Sequence, residues 1–150
     1  MTIEDELRSV QTFAALKPSY KVLIYLSAKL TATTLSALSA EIIACKYVLV
    51  GLTKSPIQQR QLIAAIEWFC GVRNANLIKF FPALLKVFFD EELIEEDVFL
   101  EWAADHAKND YTINSIPDAV LERLRELSQP FIVWLQEAEE EEEEEGGDED

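Results

Sequence analysis

The stretch LIKFFPALLKVFFDEELIEEDVFLEWAA, Leu77 to Ala104, decides the fold class. Its Leu77, Phe81, Leu84, Leu85 and Phe88 fall at i, i+4, i+7, i+8 and i+11, which is one face of an α-helix. A helix is therefore predicted from near Asn76 to Phe89. Pro82 either kinks it or marks its true start, because proline lacks an amide donor and crowds the preceding turn. Beyond the acidic run, Val98, Phe99, Trp102 and Ala103 share a face of a further helix, predicted from about Glu95 to Ala107.

Working outward, the same period recurs. Ile3, Leu7, Val10 and Leu16 mark a first helix that ends near Lys17 and Pro18. A second is predicted from about Tyr20 to Leu30 and a third from about Leu35 to Leu49. Ser55 and Pro56 form an N-cap and N1 pair for a fourth. It turns Leu62, Ile66, Phe69 and Cys70 inward and ends near Gly71. On the other side, Ser115-x-x-Asp118 resembles a capping box for a seventh helix carrying Val120, Leu124 and Leu127. Pro130 is read as the start of an eighth, with Phe131, Trp134, Leu135 and Ala138 inward. No stretch alternates with period two for long enough to predict a strand.

The expected fold is thus all-α: a HEAT-like stack of about eight antiparallel helices, with a compact bundle as the competing picture. No internal sequence repeat of roughly 34 or 40 residues supports the stack by repetition. Residues 1–138 are expected to form the helical domain. Residues 139–150 are expected to form an acidic tail, partly helical and then disordered.

Composition narrows the function. Of 150 residues, 49% are apolar, enough to bury a core, and the net charge is −15. That charge disfavours direct binding to nucleic acid, which needs clustered Lys and Arg, and adhesion to an anionic membrane. Cys45 and Cys70 form no C-x-x-C pair, so no metal site is expected. The start, Met1 to Leu7, lacks the pattern of a signal peptide, and Ile42 to Leu52 is too short to span a bilayer; a cytoplasmic location is expected. The one histidine, His106, has no nucleophile pattern, phosphate loop or Ca²⁺ loop around it, so neither catalysis nor a cofactor is expected.

The charge is not evenly spread. Val87 to Ala107 holds eight acidic residues and no Lys or Arg; Glu137 to Asp150 holds eleven, again with none. Of 28 acidic residues, nine remain elsewhere, against all 13 Lys and Arg, so the rest of the chain carries +4. Each cluster alone is an ordinary solvated surface. Together they flank two aromatic helical stripes, and gathering like charge costs folding energy that a basic ligand recovers. The Lys and Arg of the body are scattered along five helices and read as solvated, with a basic site for an acidic second partner as the sharper alternative.

DEELIEEDVFLEW, Asp90 to Trp102, followed by FIVWLQEAEEEEEEE, Phe131 to Glu145, resembles the two aromatic-acidic boxes of the W2 domain family. That domain closes eukaryotic translation initiation factor 5 and the epsilon subunit of initiation factor 2B, and occurs in mimic proteins of factor 5. The ending from Pro130 to Glu140 is most similar to that of the factor 5 members. The resemblance implies an atypical HEAT-like fold and a non-catalytic, monomeric binding role. Its implied partners are the lysine-rich tail of the initiation factor 2 beta subunit and initiation factors 1 and 3. The implied contact residues are Asp90, Glu91, Glu92, Glu95, Glu96, Asp97, Glu101 and Trp102 in the first box. In the second they are Phe131, Trp134, Glu137, Glu139, Glu140 and Glu141. By stripe position alone, Trp102 and Trp134 are expected to pack inward and hold the two acidic helices side by side. GTPase activation, which belongs to a separate zinc-bearing domain of factor 5, is not implied. An acidic, chaperone-like binder of basic proteins would share the tail but would not need the first box.

Overall fold

The computed structural model describes residues 18–105, 111–113 and 116–147. Among these, seven α-helices follow one another: α1 (Pro18–Lys29), α2 (Leu35–Ala44), α3 (Lys46–Gly51), α4 (Pro56–Trp68), α5 (Phe81–Asp90), α6 (Glu96–Ala104) and α7 (Asp118–Gly147). A π-helical turn, Phe69–Arg73, and a 3-10 helix, Ala75–Phe80, join α4 to α5. No strand occurs among the described residues, so the all-α expectation holds. The predicted first helix and Ser115 of the predicted capping box lie outside them.

Local chemistry places the helix starts. The Thr34 hydroxyl caps α2 by accepting from the Ala37 amide, and the Ser55 hydroxyl caps α4 by accepting from the Gln58 amide, with Pro56 in the first turn. The predicted third helix is two. At Cys45 the amide is shared between the Glu41 and Ile42 carbonyls, and α3 starts afresh one residue later. The predicted helix from Asn76 begins as 3-10, and α5 proper starts at Phe81 with Pro82 in its first turn. Of the two roles open to Pro82, the structure takes the helix start.

The largest departure lies at Pro130. The expected seventh and eighth helices are one, and Pro130 sits inside it. Proline in a helix interior costs about 3 kcal/mol. Against that cost stands a continuous buried stripe that crosses it: Leu121, Leu124, Ser128, Phe131, Ile132 and Leu135. Fully burying each large apolar side chain contributes about 1.5–3 kcal/mol. Pro130 is exposed, and so is Glu126, the residue whose carbonyl loses the amide donor that proline lacks.

α4 is the central helix. Every residue from Gln59 to Glu67 except Gln61 is buried. α1 packs along one side of it, and α6 crosses it further on. The π turn after α4 brings Gly71 against α7, where a β-carbon would lie 2.5 Å from Val120 Cγ1. Only glycine permits that approach. α5 and α6 both pack on α7, and Phe89 of α5 meets Phe99 of α6, so the two acidic boxes lie together.

Candidate aromatic-acidic docking surface

Phe89, on α5 just before the first box, packs perpendicular to Trp134 of α7, with centroids 5.7 Å apart and planes at 90°. It also meets Phe99 of α6 at 6.3 Å and Phe131 of α7 at 6.4 Å. Phe99 and Phe131 meet edge to face at 5.1 Å, and Phe131 stacks beside Trp134 at 6.1 Å. Aromatic pairs in these geometries are worth about 0.5–1.5 kcal/mol beyond the area they bury. This four-ring cluster fastens the first box to the second.

The two tryptophans differ. Trp102 is 2% exposed and packs on Phe81 at 5.9 Å, as its stripe position predicts. Trp134 is 42% exposed, so the expectation of inward packing fails there. The reason is geometric: Phe131, Ile132 and Leu135 already fill the buried face of α7, and Trp134 falls at its edge. Phe131 is buried beneath the surface with Phe99.

The first box is held at both ends from outside itself. The α5 helix ends in a Schellman motif: the Leu93 amide donates to Phe88 O at 2.9 Å and the Glu92 amide to Phe89 O at 3.0 Å. The residue in the left-handed position is Glu92, at φ 60°, where glycine is usual. The start of α6 is fixed by buried Gln59. It accepts from the Glu95 amide at 2.9 Å and donates to Thr53 O at 3.1 Å. The end of α6 is fixed by Arg125 of α7, which donates from Nη1 to the Trp102 and Asp105 carbonyls, with its guanidinium 5.1 Å from the Trp102 ring centre. A cation at a helix C-terminus complements the macrodipole.

Behind the box lies a buried charge cluster that sequence reasoning missed. Arg60, 4% exposed on α4, donates to Glu101 at 3.1 Å and to Asp105, and lies over the Tyr111 ring. Glu67, one helix turn pair further along α4, is buried; burial pushes its carboxyl up to about 7, against the opposing pull of Arg125, the Trp102 indole and Arg60. Burial also lowers the Arg125 guanidinium.

The carboxylates of the first box therefore divide into two sets. Asp90 pairs with Lys86 at 2.9 Å, Glu91 with Lys46 at 3.1 Å, and Glu101 with Arg60. Glu92, Glu95 and Asp97 are exposed, and no ion pair joins them to a cation among the described residues. Glu96 is half-buried. An open groove of roughly 640 Å³ is lined by Phe89, Asp90, Glu92, Ile94, Glu95 and Glu96, of which Phe89 is half-buried and Ile94 buried. Of the second box, Glu137 and Glu140 are exposed on α7; Glu139 and Glu141 continue that helix, with side chains outside the described set. Sequence reasoning also missed Phe89 and Ile94. The Phe88-Phe89 doublet held the signal for Phe89: adjacent positions on a helix point about 100° apart, so one ring faces the core while the next faces a different neighbour.

The arrangement offers carboxylates to cations and the half-buried Phe89 ring to aliphatic stems. No group of three or more candidate metal ligands occurs among the described residues, and none of their helices is long and apolar enough to cross a membrane.

Comparison with known proteins places residues 58–145 on the W2 family model, described as eIF4-gamma/eIF5/eIF2-epsilon. Eukaryotic translation initiation factor 5 of Mus musculus is 36% identical over 81 residues, 54% of this chain and 18% of that protein. The Drosophila melanogaster factor 5 is 31% identical over 85 residues, 57% of this chain and 17% of that protein. The chain spans about a fifth of the length of these curated relatives. Among solved structures, the C-terminal domain of translation initiation factor 5 at low pH superimposes with a TM-score of 0.63 at 31% identity, covering 89% of this chain and 87% of that one.

Proposed function

This chain belongs to the W2 family of translation initiation factor domains, and from that premise we propose that it is a docking module for the lysine-rich tail of the initiation factor 2 beta subunit. It acts by binding and not by catalysis, as a monomer in the cytoplasm, and helps assemble the preinitiation complex with initiation factors 1 and 3. The observation that supports this reading best is the four-ring cluster of Phe89, Phe99, Phe131 and Trp134, which sets the two acidic boxes side by side.

The physical mechanism follows from the surface. A lysine-rich segment repels itself and buries little, so it is disordered before binding. It is steered electrostatically toward the two acidic boxes. Lysine stems lie against the half-buried Phe89 ring while their ammonium groups reach the surrounding carboxylates. Each exposed ion pair contributes about 0–1 kcal/mol. Several acting together reach micromolar affinity, about −8 kcal/mol. Glu92, Glu95 and Asp97 carry most of the first-box contact, because Asp90, Glu91 and Glu101 are already partnered. Glu137, Glu139, Glu140 and Glu141 extend the contact along the second box, and residues 139–150 act as its acidic tail. Trp102 and Phe131 serve from below by fixing where the boxes sit.

The test is calorimetric titration with the lysine-rich tail of the beta subunit at rising salt. With a screening length of about 8 Å at physiological ionic strength, affinity falls steeply as salt rises. Reversing Glu92, Glu95 and Asp97 to Lys abolishes binding while helicity is kept. Unchanged affinity in that triple variant would refute the reading.

A further inference from the structure

We propose that the outer face of Trp134, together with the Asp90 carboxylate, is a seat for one lysine ammonium, and that the domain's own Lys86 holds this seat until a ligand lysine replaces it. The inference rests on the reading of the surface as a lysine-binding one and adds the group that the ligand must displace.

The geometry is that of a bound lysine. Lys86 Nζ lies 5.3 Å from the Trp134 ring centre and 2.9 Å from Asp90 Oδ2. Both are ordinary distances for a cation on an aromatic face and for a charge-assisted hydrogen bond. The ring is also held by two aromatic neighbours, perpendicular to Phe89 and stacked beside Phe131. An exposed tryptophan whose orientation is fixed by two neighbours is a ready-made platform. The seat is open to solvent: the Lys86 and Asp90 side chains are each about half exposed.

The occupant is also easily released. Lys86 precedes Asp90 by one turn of α5, and a basic residue N-terminal to an acidic one is the weaker order for such a helical pair. Its stem is flexible and its head is already half in water. The Lys46–Glu91 pair is different, because it ties the start of α3 to the end of α5 and is less exposed. Exchange at the Trp134 seat replaces one ammonium by another, so it costs little charge. The ligand wins because its neighbouring lysines reach Glu92 and Glu95, which Lys86 leaves untouched. The domain's affinity for any single lysine is thereby lowered, and segments with several lysines in a row are selected.

The decisive comparison uses a synthetic oligolysine peptide and three proteins: wild type, Lys86→Gln, and Lys29→Gln on α1 as a control with the same charge change. Lys86→Gln is expected to bind about fivefold tighter than the control, since an exposed cation–π contact and an exposed ion pair no longer have to be broken. That gain is expected to vanish when Trp134→Ala is added. In the wild type, the Lys86 Cε protons are shielded by the ring and are expected to move downfield at saturation. Binding by the wild type with no gain in Lys86→Gln over the control, or Lys86 still over the ring at saturation, overturns the seat and leaves the docking function standing. No oligolysine binding by any of the three overturns both.

Discussion

Glu92 separates the stability of this domain from its binding. It occupies the left-handed position that ends α5, with φ 60°, where a side chain crowds its own backbone. That conformation costs a non-glycine residue about 1–2 kcal/mol. Glycine escapes this cost but gives up about 0.5–1 kcal/mol through the greater freedom of its unfolded chain. Glu92→Gly is therefore expected to stabilise the domain by about 0.5–1 kcal/mol, a rise of roughly 1–4 °C in melting temperature for a chain of this size. The same change removes an exposed, unpaired carboxylate and should weaken binding to a lysine-rich peptide severalfold. Glu92→Ala isolates the two effects: it keeps the backbone cost and loses the charge, so it should bind like the glycine variant and melt like the wild type. Differential scanning calorimetry and titration calorimetry on the three proteins read both quantities. A glycine variant that melts lower than the wild type would refute the reasoning, since it would mean that Glu92 makes a folded-state contact worth more than the left-handed cost.

Three other outcomes follow from the packing. Gly71→Ala should destabilise the fold by about 1–3 kcal/mol in urea titration, because its β-carbon would sit 2.5 Å from Val120 Cγ1 on α7. Trp134→Ala should cost less than the roughly 3–5 kcal/mol of a fully buried tryptophan, since the ring is 42% exposed, while weakening peptide binding. Glu67 sets a pH dependence: its folded value of about 7 lies above the unfolded carboxylate value near 4.3, so its contribution is fully present below pH 4.3 and is lost as pH rises through 7. Glu67→Gln should remove that slope, so that its stability relative to the wild type rises by on the order of 3 kcal/mol between pH 4 and pH 8 in urea titrations.

Much of this architecture was legible in the sequence because it is written in local periods and caps. Ser55-Pro56, the Leu77 to Phe88 stripe and the Val98, Phe99, Trp102 face needed only neighbours within a few turns. The failures arise where distant parts compete with local rules. Pro130 reads as a helix start, yet the buried stripe from Leu121 to Leu135 carries α7 straight through it. Trp134 reads as core by spacing, but which part of a stripe is covered depends on the neighbouring helices, and here Phe89 of α5 packs against its ring while 42% of the residue stays exposed. The acidic boxes were visible as charge runs, but their division into partnered and open carboxylates was not. Lys46 and Glu91 are 45 residues apart, as are Arg60 and Asp105, and no local pattern couples them.

The central claim is that both boxes act as one surface. Amide and indole chemical-shift mapping of the wild-type domain, titrated with the lysine-rich tail of the initiation factor 2 beta subunit, tests it most directly. Glu92, Glu95 and Asp97 of the first box should shift together with the Trp134 indole and Glu137 of the second, along one common binding curve. Shifts confined to one box, or two curves with different midpoints, would contradict it.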